Sequence, residues 1–105
     1  SLDVVESDDT LEVAADLPGY DKEDIDVSVR GRQLTIAAER EESADVEEEN
    51  YVRRERSHRS VSRSLTLPVE VKREEVSATY RNGVLTVTLP QVEAASDDSH
   101  SIDID

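Results

Sequence analysis

The sequence predicts an all-β sandwich of about eight short strands with a flexible tail at its C-terminal end. Apolar residues alternate with polar ones in several short runs, and no run has helical periodicity. The apolar residues are mainly Val, Leu, Ile and Ala, with three Tyr and no Phe, Trp or Met, which favours strands. With 105 residues, the chain is long enough for one small domain, which we expect at residues 1–90.

Alternating apolar residues mark four strands in the first part of the chain. They are Leu2 and Val4; Leu11, Val13 and Ala15; Ile25, Val27 and Val29; and Leu34, Ile36 and Ala38. Residues 7–9 form a turn between the first two strands, and residues 21–24 are suited to one helical turn. Gly31-Arg32 is short enough for a hairpin loop, so the third and fourth strands are expected to pair.

The middle of the chain has no apolar alternation. Residues 39–50 are dominated by Glu, which predicts a long solvated connection, and such connections usually have a function. Residues 51–56 follow as an Arg-rich strand with almost no core face, so they are expected to pair at a sheet edge or with another subunit. Region 41–59 is therefore predicted as a long loop that carries an exchange strand.

Regular alternation returns in the last third of the chain. Val61, Leu65 and Leu67 precede Pro68, and residues 69–75 form a connection. Two further strands are marked by Val76, Ala78 and Tyr80 and by Leu85, Val87 and Leu89. The Asn82-Gly83 pair between these strands is the strongest hairpin signal in the sequence.

Residues 91–105 are predicted to form the flexible tail, because Ser, Asp, Ala and Glu predominate there. The tail carries Ile102 and Ile104, which cannot form a core locally. In an extended segment their side chains point the same way and could enter a groove elsewhere. The alternative is a frayed tail that folds back on its own domain.

Charge and composition exclude several classes of function. The formal net charge of −14 opposes nucleic acid or an anionic membrane as a partner. Arg53, Arg54, Arg56 and Arg59 form a basic stretch, but only Tyr51 lies among them as an aromatic, so pairing with acidic residues across a subunit boundary is favoured. Ten of the twelve cations are Arg and the charge is high, which suggests adaptation to high salt.

The inventory of reactive residues argues against an enzyme. Cysteine is absent, His58 and His100 are the two histidines, and neither a glycine-rich phosphate loop nor metal-ligand spacing occurs, so no cofactor is expected. No apolar run approaches the roughly 20 residues needed to cross a bilayer. The first residues lack a secretory pattern, so we expect a soluble, cytoplasmic protein.

Three motifs together resemble the α-crystallin domain of small heat-shock proteins. They are Asp16-Leu17-Pro18-Gly19-Tyr20-Asp21-Lys22-Glu23-Asp24-Ile25 with the strand pair after it, Ala78-Thr79-Tyr80-Arg81-Asn82-Gly83-Val84-Leu85 before Pro90, and Ile102-Asp103-Ile104. The resemblance is to bacterial and archaeal members and spans nearly the whole chain. It implies an immunoglobulin-like sandwich that works as an ATP-independent chaperone, forms homodimers and larger homo-oligomers, and binds unfolding clients.

The resemblance also implies roles for particular residues. Ile102 and Ile104 match the anchor that enters a neighbouring subunit. The matching groove residues are Val27, Val29, Val76 and Ala78. The residues that match the dimer interface are Arg63, which braces it, and the exchange strand, Tyr51, Val52, Arg53, Arg54, Glu55 and Arg56.

Other interpretations of the same residues stay open. The four groove residues, Val27, Val29, Val76 and Ala78, also fit an ordinary sandwich core, and Arg63 also fits a plain surface arginine. A co-chaperone or adaptor that binds one folded partner is the alternative function. The chain departs from the family in having no Phe and almost nothing before its first strand. At that position the family carries an N-terminal segment, often Phe-rich, that supports client binding.

Overall fold

A computed structural model describes residues 2–48 and 51–92, and the side chains of residues 2–42 and 56–92. This part of the chain contains seven strands and two 3₁₀ helices, Lys22–Asp24 and Arg73–Glu75. The strands are β1 Leu2–Glu6, β2 Thr10–Asp16, β3 Ile25–Arg30, β4 Gln33–Glu48, β5 Tyr51–Thr66, β6 Ser77–Arg81 and β7 Val84–Pro90. The all-β prediction is confirmed.

The seven strands form two antiparallel sheets. One sheet has the order β1-β2-β7-β6 and the other has the order β3-β4-β5. Both predicted hairpins are present, β3 with β4 and β6 with β7. At the second hairpin, Asn82 and Gly83 have φ angles of 51° and 79°, the left-handed conformation that this residue pair adopts most readily.

The core lies between the two sheets and is built from the alternating residues. Its fully buried side chains are Leu11, Val13, Leu34, Ile36, Leu67, Val87 and Leu89. Alternation along each strand places these side chains inward and their polar neighbours outward. Burial of a Leu or Ile side chain contributes about 1.5 to 3 kcal/mol, so this small core is the main source of stability.

The predicted solvated connection at residues 39–50 is wrong where the structure describes it. Residues 41–48 continue β4 and pair in register with β5, from Glu41 opposite His58 to Glu48 opposite Tyr51. The pairing of β3 with β4 ends at Ala38, so residues 39–48 and 51–60 form a two-stranded ribbon, which we call the arm. A ribbon that extends beyond the sandwich core needs no apolar alternation, which is why the sequence pattern did not indicate this strand.

The C-terminal end of the domain extends two residues beyond the predicted boundary at 90. Gln91 forms a bridge with Val71, and its side-chain amide donates to the carbonyl oxygen of Ser7 at 2.9 Å. The amide of Val92 donates to the carbonyl oxygen of Glu70 at 2.9 Å. The rest of the predicted tail, with Ile102 and Ile104, lies outside the described residues.

Candidate functional site: a cleft between two sheet edges

A cleft of about 170 Å³ opens where the edges of the two sheets lie side by side. β3 ends the three-stranded sheet and β6 ends the four-stranded one, so each has an unpaired backbone edge within the described chain. The residues that line the cleft are Lys22, Ile25, Val27, Ala78, Thr79, Tyr80 and Leu85. An apolar slot beside an unpaired strand is suited to an extended segment, which can add backbone hydrogen bonds and bury side chains.

The register explains why these side chains meet. Val27 lies opposite Ile36 and Ala78 lies opposite Val87, and both of these partners are core residues. Val27 and Ala78 therefore point toward the interior. None of the described strands lies beyond them at the sheet edge, and Val27 is half-buried and Ala78 exposed.

The four predicted groove residues divide into two pairs. Val27 and Ala78 line the cleft, whereas Val29 and Val76 are half-buried against the core and do not line it. Ile25 and Tyr80 also line the cleft but were not predicted as groove residues, although each lies two residues from a predicted groove residue and shares its face. Period-two spacing is the signal that could have found both.

Tyr80 connects the cleft to the Pro18-Gly19 turn. Its hydroxyl lies 2.5 Å from the carbonyl oxygen of Leu17 and 2.9 Å from that of Tyr20, and the single proton is shared between them. The amide of Leu17 in turn donates to the carbonyl oxygen of Gly83 at 2.7 Å. Residues 17–20 are therefore fixed against the hairpin that forms one wall of the cleft.

The base of the arm contacts the segment from Gly19 to Asp24. Arg59 donates to the carbonyl oxygen of Gly19 at 2.5 Å, and its guanidinium lies 4.9 Å from the centre of the Tyr20 ring. Arg40, opposite Arg59 on β4, binds Asp21 at 2.6 Å, Glu42 at 2.7 Å and Asp24 at 3.3 Å. Hydrogen bonds to Asp21 first, and then to Glu42, raise the pKa of Arg40 above its ordinary value.

Arg63 lies on β5, which ends the three-stranded sheet. Its register partner is the core residue Ile36, so Arg63 lies on the same face of β5 as the half-buried Val61 and Leu65, yet Arg63 itself is exposed. Its guanidinium donates to the carbonyl oxygen of Ser62 at 3.1 Å. No carboxylate among residues 2–42 and 56–92 pairs with it, so most of its donors are available to a partner.

The exchange strand predicted at residues 51–56 occupies the outer half of the arm. Its backbone pairs with residues 43–48 of the same chain. The side chains of Tyr51, Val52, Arg53, Arg54 and Glu55 lie outside the described set, and Arg56 is exposed. The backbone edge of β5 that faces away from β4 has no partner among the described strands.

Within residues 2–42 and 56–92, no three His, Asp or Glu side chains come close enough together to hold a metal ion. In the same described part, neither helix is long or apolar enough to span a bilayer.

The fold and cleft define a small β-sandwich with open sheet edges, a class suited to binding extended chain segments. The model of the Hsp20/alpha crystallin family matches residues 3–105. The chain belongs to this family, as its resemblance in sequence predicted. Small heat-shock proteins are chaperones rather than enzymes.

Individual relatives agree with this assignment. The chain is 41% identical over 95 residues to heat shock protein 16 of Schizosaccharomyces pombe, covering 89% of this chain and 66% of the relative. The structure of heat shock protein 16.0 from Schizosaccharomyces pombe matches with a TM-score of 0.67 and 37% identity, covering 100% of this chain and 74% of that one. A small heat-shock protein from Xylella fastidiosa matches with a TM-score of 0.68 and 28% identity, covering 100% and 93%.

The chain spans 59% to 69% of the length of three of its curated relatives. Those relatives therefore contain segments that have no counterpart among these 105 residues.

Proposed function

We propose that this chain is an ATP-independent holdase, which binds unfolding proteins through the cleft between β3 and β6 and so suppresses their aggregation. The apolar lining of the cleft, which is only partly buried and lies beside two strand edges that have no partner in the described chain, is the observation that carries this proposal. An unfolding protein exposes apolar side chains and unpaired backbone, which are the groups that drive aggregation. The cleft offers partners for both, and membership of a chaperone family supports the same function.

The size of the cleft agrees with reversible binding. A volume of about 170 Å³ accommodates one or two aliphatic side chains. Each buried isoleucine contributes roughly 1.5 to 3 kcal/mol, before the cost of ordering the bound segment is subtracted. Single contacts of this strength dissociate readily, and many of them together can hold an assembly through effective concentration.

We further propose that the resting occupant of the cleft is the Ile102-Asp103-Ile104 segment of a neighbouring subunit. Two side chains on one face of an extended segment fit a slot lined by Ile25, Val27 and Leu85. The tail of the same subunit is also long enough to reach the cleft. Subunit mixing of tail-deleted and cleft-blocked chains distinguishes the two sources, since only docking between subunits restores assembly.

Homodimer formation is proposed to use the arm and Arg63. Oligomers are known in this family. In this chain, two features support a dimer contact at β5. Within the described part of one subunit, the outer edge of β5 has no strand partner, and most donors of Arg63 have no acceptor.

The test of holdase activity is light scattering. Several unrelated client proteins are heated with and without the chain, in the absence of ATP, and the chain is expected to reduce aggregation of all of them. Ala78→Glu, which places a charge in the cleft, should reduce this protection. The matched control is Val84→Glu on the outer face of the same sheet, which should retain it.

Two results would contradict the proposal. Equal protection by both variants would remove the cleft from the mechanism. Protection of a single client, with the others unaffected, would instead favour an adaptor that binds one folded partner.

A further inference from the structure

Lys22 is the cation on the lining of the cleft, and its surroundings leave it available. The other six lining residues carry no formal charge. Lys22 is exposed, and no carboxylate among residues 2–42 and 56–92 forms a salt bridge with it. Lys22 and Lys72 are the two lysines of the chain, and of these Lys22 lines the cleft.

The structure shows why the neighbouring carboxylates do not neutralise this lysine. Asp21 precedes it directly and Asp24 follows two residues later, but both bind Arg40 from the base of the arm. Asp24 also accepts a hydrogen bond from the amide of Asp21 at 2.8 Å, which fixes it within the turn. Glu23 is exposed and does not line the cleft. The rim of the cleft therefore keeps one positive charge.

The proposed occupant carries the opposite charge. Residues 93–105 contain five acidic residues, Glu93, Asp97, Asp98, Asp103 and Asp105, and no Lys or Arg. Two of these, Asp103 and Asp105, alternate with the two isoleucines. Docking such a segment on a protein with a net charge of −14 is opposed by repulsion, and a cation at the docking site offsets that cost.

We propose that Lys22 is the specificity-determining residue of the cleft, and that it selects apolar segments flanked by acidic residues, of which Ile102-Asp103-Ile104-Asp105 is the resident example. This inference rests on the proposed function of the cleft. Apolar burial supplies most of the affinity, and Lys22 supplies discrimination. In an extended segment the aspartates point away from the isoleucines, so the exposed Lys22 meets them at the rim of the cleft, and an exposed ion pair of this kind changes affinity by about two- to fivefold.

The test measures peptide binding to the full chain carrying Ile102→Ala and Ile104→Ala, so that its own tail does not compete. The probe is a fluorescent peptide of residues 101–105, blocked at both ends, beside versions in which both aspartates are Asn or both are Lys. With Lys22 present, the aspartate peptide is expected to bind about two- to fivefold more tightly than the Asn peptide. This advantage should shrink at 1 M salt, where the Debye length is about 3 Å.

A charge exchange provides the decisive comparison. In Lys22→Glu the order should reverse, so that the Lys peptide binds more tightly than the aspartate peptide. Lys72→Glu is the matched control, because it makes the same change in net charge at a residue that does not line the cleft. It should keep the original order.

Three outcomes overturn the inference. Equal binding of the aspartate and Asn peptides would show that the cleft does not discriminate by charge, while leaving the proposed docking intact. An equal effect of Lys22→Glu and Lys72→Glu would assign the discrimination to net charge alone. If none of the peptides bound, the cleft would not be a docking site, and both the proposed docking and this inference would be wrong.

Discussion

Tyr80 has two roles that its side chain can fill together. Its ring lines the cleft, and its hydroxyl is shared by the carbonyl oxygens of Leu17 and Tyr20. Those carbonyls belong to the turn that lies between the cleft and the arm. A half-buried carbonyl that loses its donor retains the free-energy cost of its desolvation. Loss of the Tyr80 hydroxyl therefore destabilises the fold.

We expect Tyr80→Phe to lower the free energy of unfolding by about 1 to 2 kcal/mol, because two acceptors lose their shared donor while the ring stays in place. Urea unfolding followed by circular dichroism measures the change. Tyr20→Phe is the control, since its hydroxyl forms no hydrogen bond with any residue that the structure describes and its ring can stay beneath Arg59. Equal losses in the two variants would contradict this role for Tyr80.

At the scale of elements, the arm extends beyond the sandwich and is attached at its base. Arg40 and Arg59 lie opposite each other in the register, a placement that is unfavourable for like charges. Both guanidiniums instead bind the segment from Gly19 to Asp24, Arg40 through carboxylates and Arg59 through a carbonyl and a ring. These contacts set the direction in which the arm leaves the sandwich.

Arg59→Gln is expected to loosen the arm at its base with little effect on the core. Loss of the cation–π contact and of a charged hydrogen bond should speed amide exchange at residues 39–42 and 57–60 by roughly five- to tenfold. Hydrogen exchange read by mass spectrometry measures this effect. Arg30→Gln removes the same charge at the far end of β3 and should leave exchange in the arm unchanged; faster exchange there would indicate a general effect of charge.

For the whole molecule, the tail is expected to determine the size of the assembly. Ile102→Ala combined with Ile104→Ala removes both proposed anchors and should give a smaller species in solution, because each lost isoleucine removes roughly 1.5 to 3 kcal/mol of burial per contact. Light scattering coupled to size exclusion gives the mass. Asp97→Ala with Asp98→Ala changes the tail without touching the anchors and should keep the original mass. An unchanged mass in the isoleucine variant would leave the tail without its proposed role.

The net charge makes a separate prediction about stability. A charge of −14 on 105 residues destabilises the compact state through self-repulsion, which salt screens. The melting temperature should therefore rise steadily as salt is increased from 0.01 M, where the Debye length is about 30 Å, to 1 M, where it is about 3 Å. Differential scanning calorimetry across the series tests this, and a melting temperature indifferent to salt would refute adaptation to high salt.

The sequence by itself determined the strands of the sandwich, both tight hairpins and the core. These features are local or periodic: alternation identifies a strand with one buried face, and Asn82-Gly83 favours a particular turn. The sequence did not identify residues 41–48 as a strand, because they have no apolar period and their Glu-rich composition is typical of a solvated loop. The pairing of residues 39–48 with residues 51–60 became visible only in the register of the structure.

Only the tertiary structure decided which residues line the cleft. Its lining comes from three separate parts of the chain, and the meeting of β3 with β6 depends on how the two sheets pack. Val27 and Ala78 were anticipated because they belong to alternating strands. Lys22 was not, since its availability depends on Arg40 binding Asp21 and Asp24 from a distant strand. Local patterns record which face of a strand is buried, whereas the partners of an exposed charge depend on which surfaces the packing of the sheets brings together.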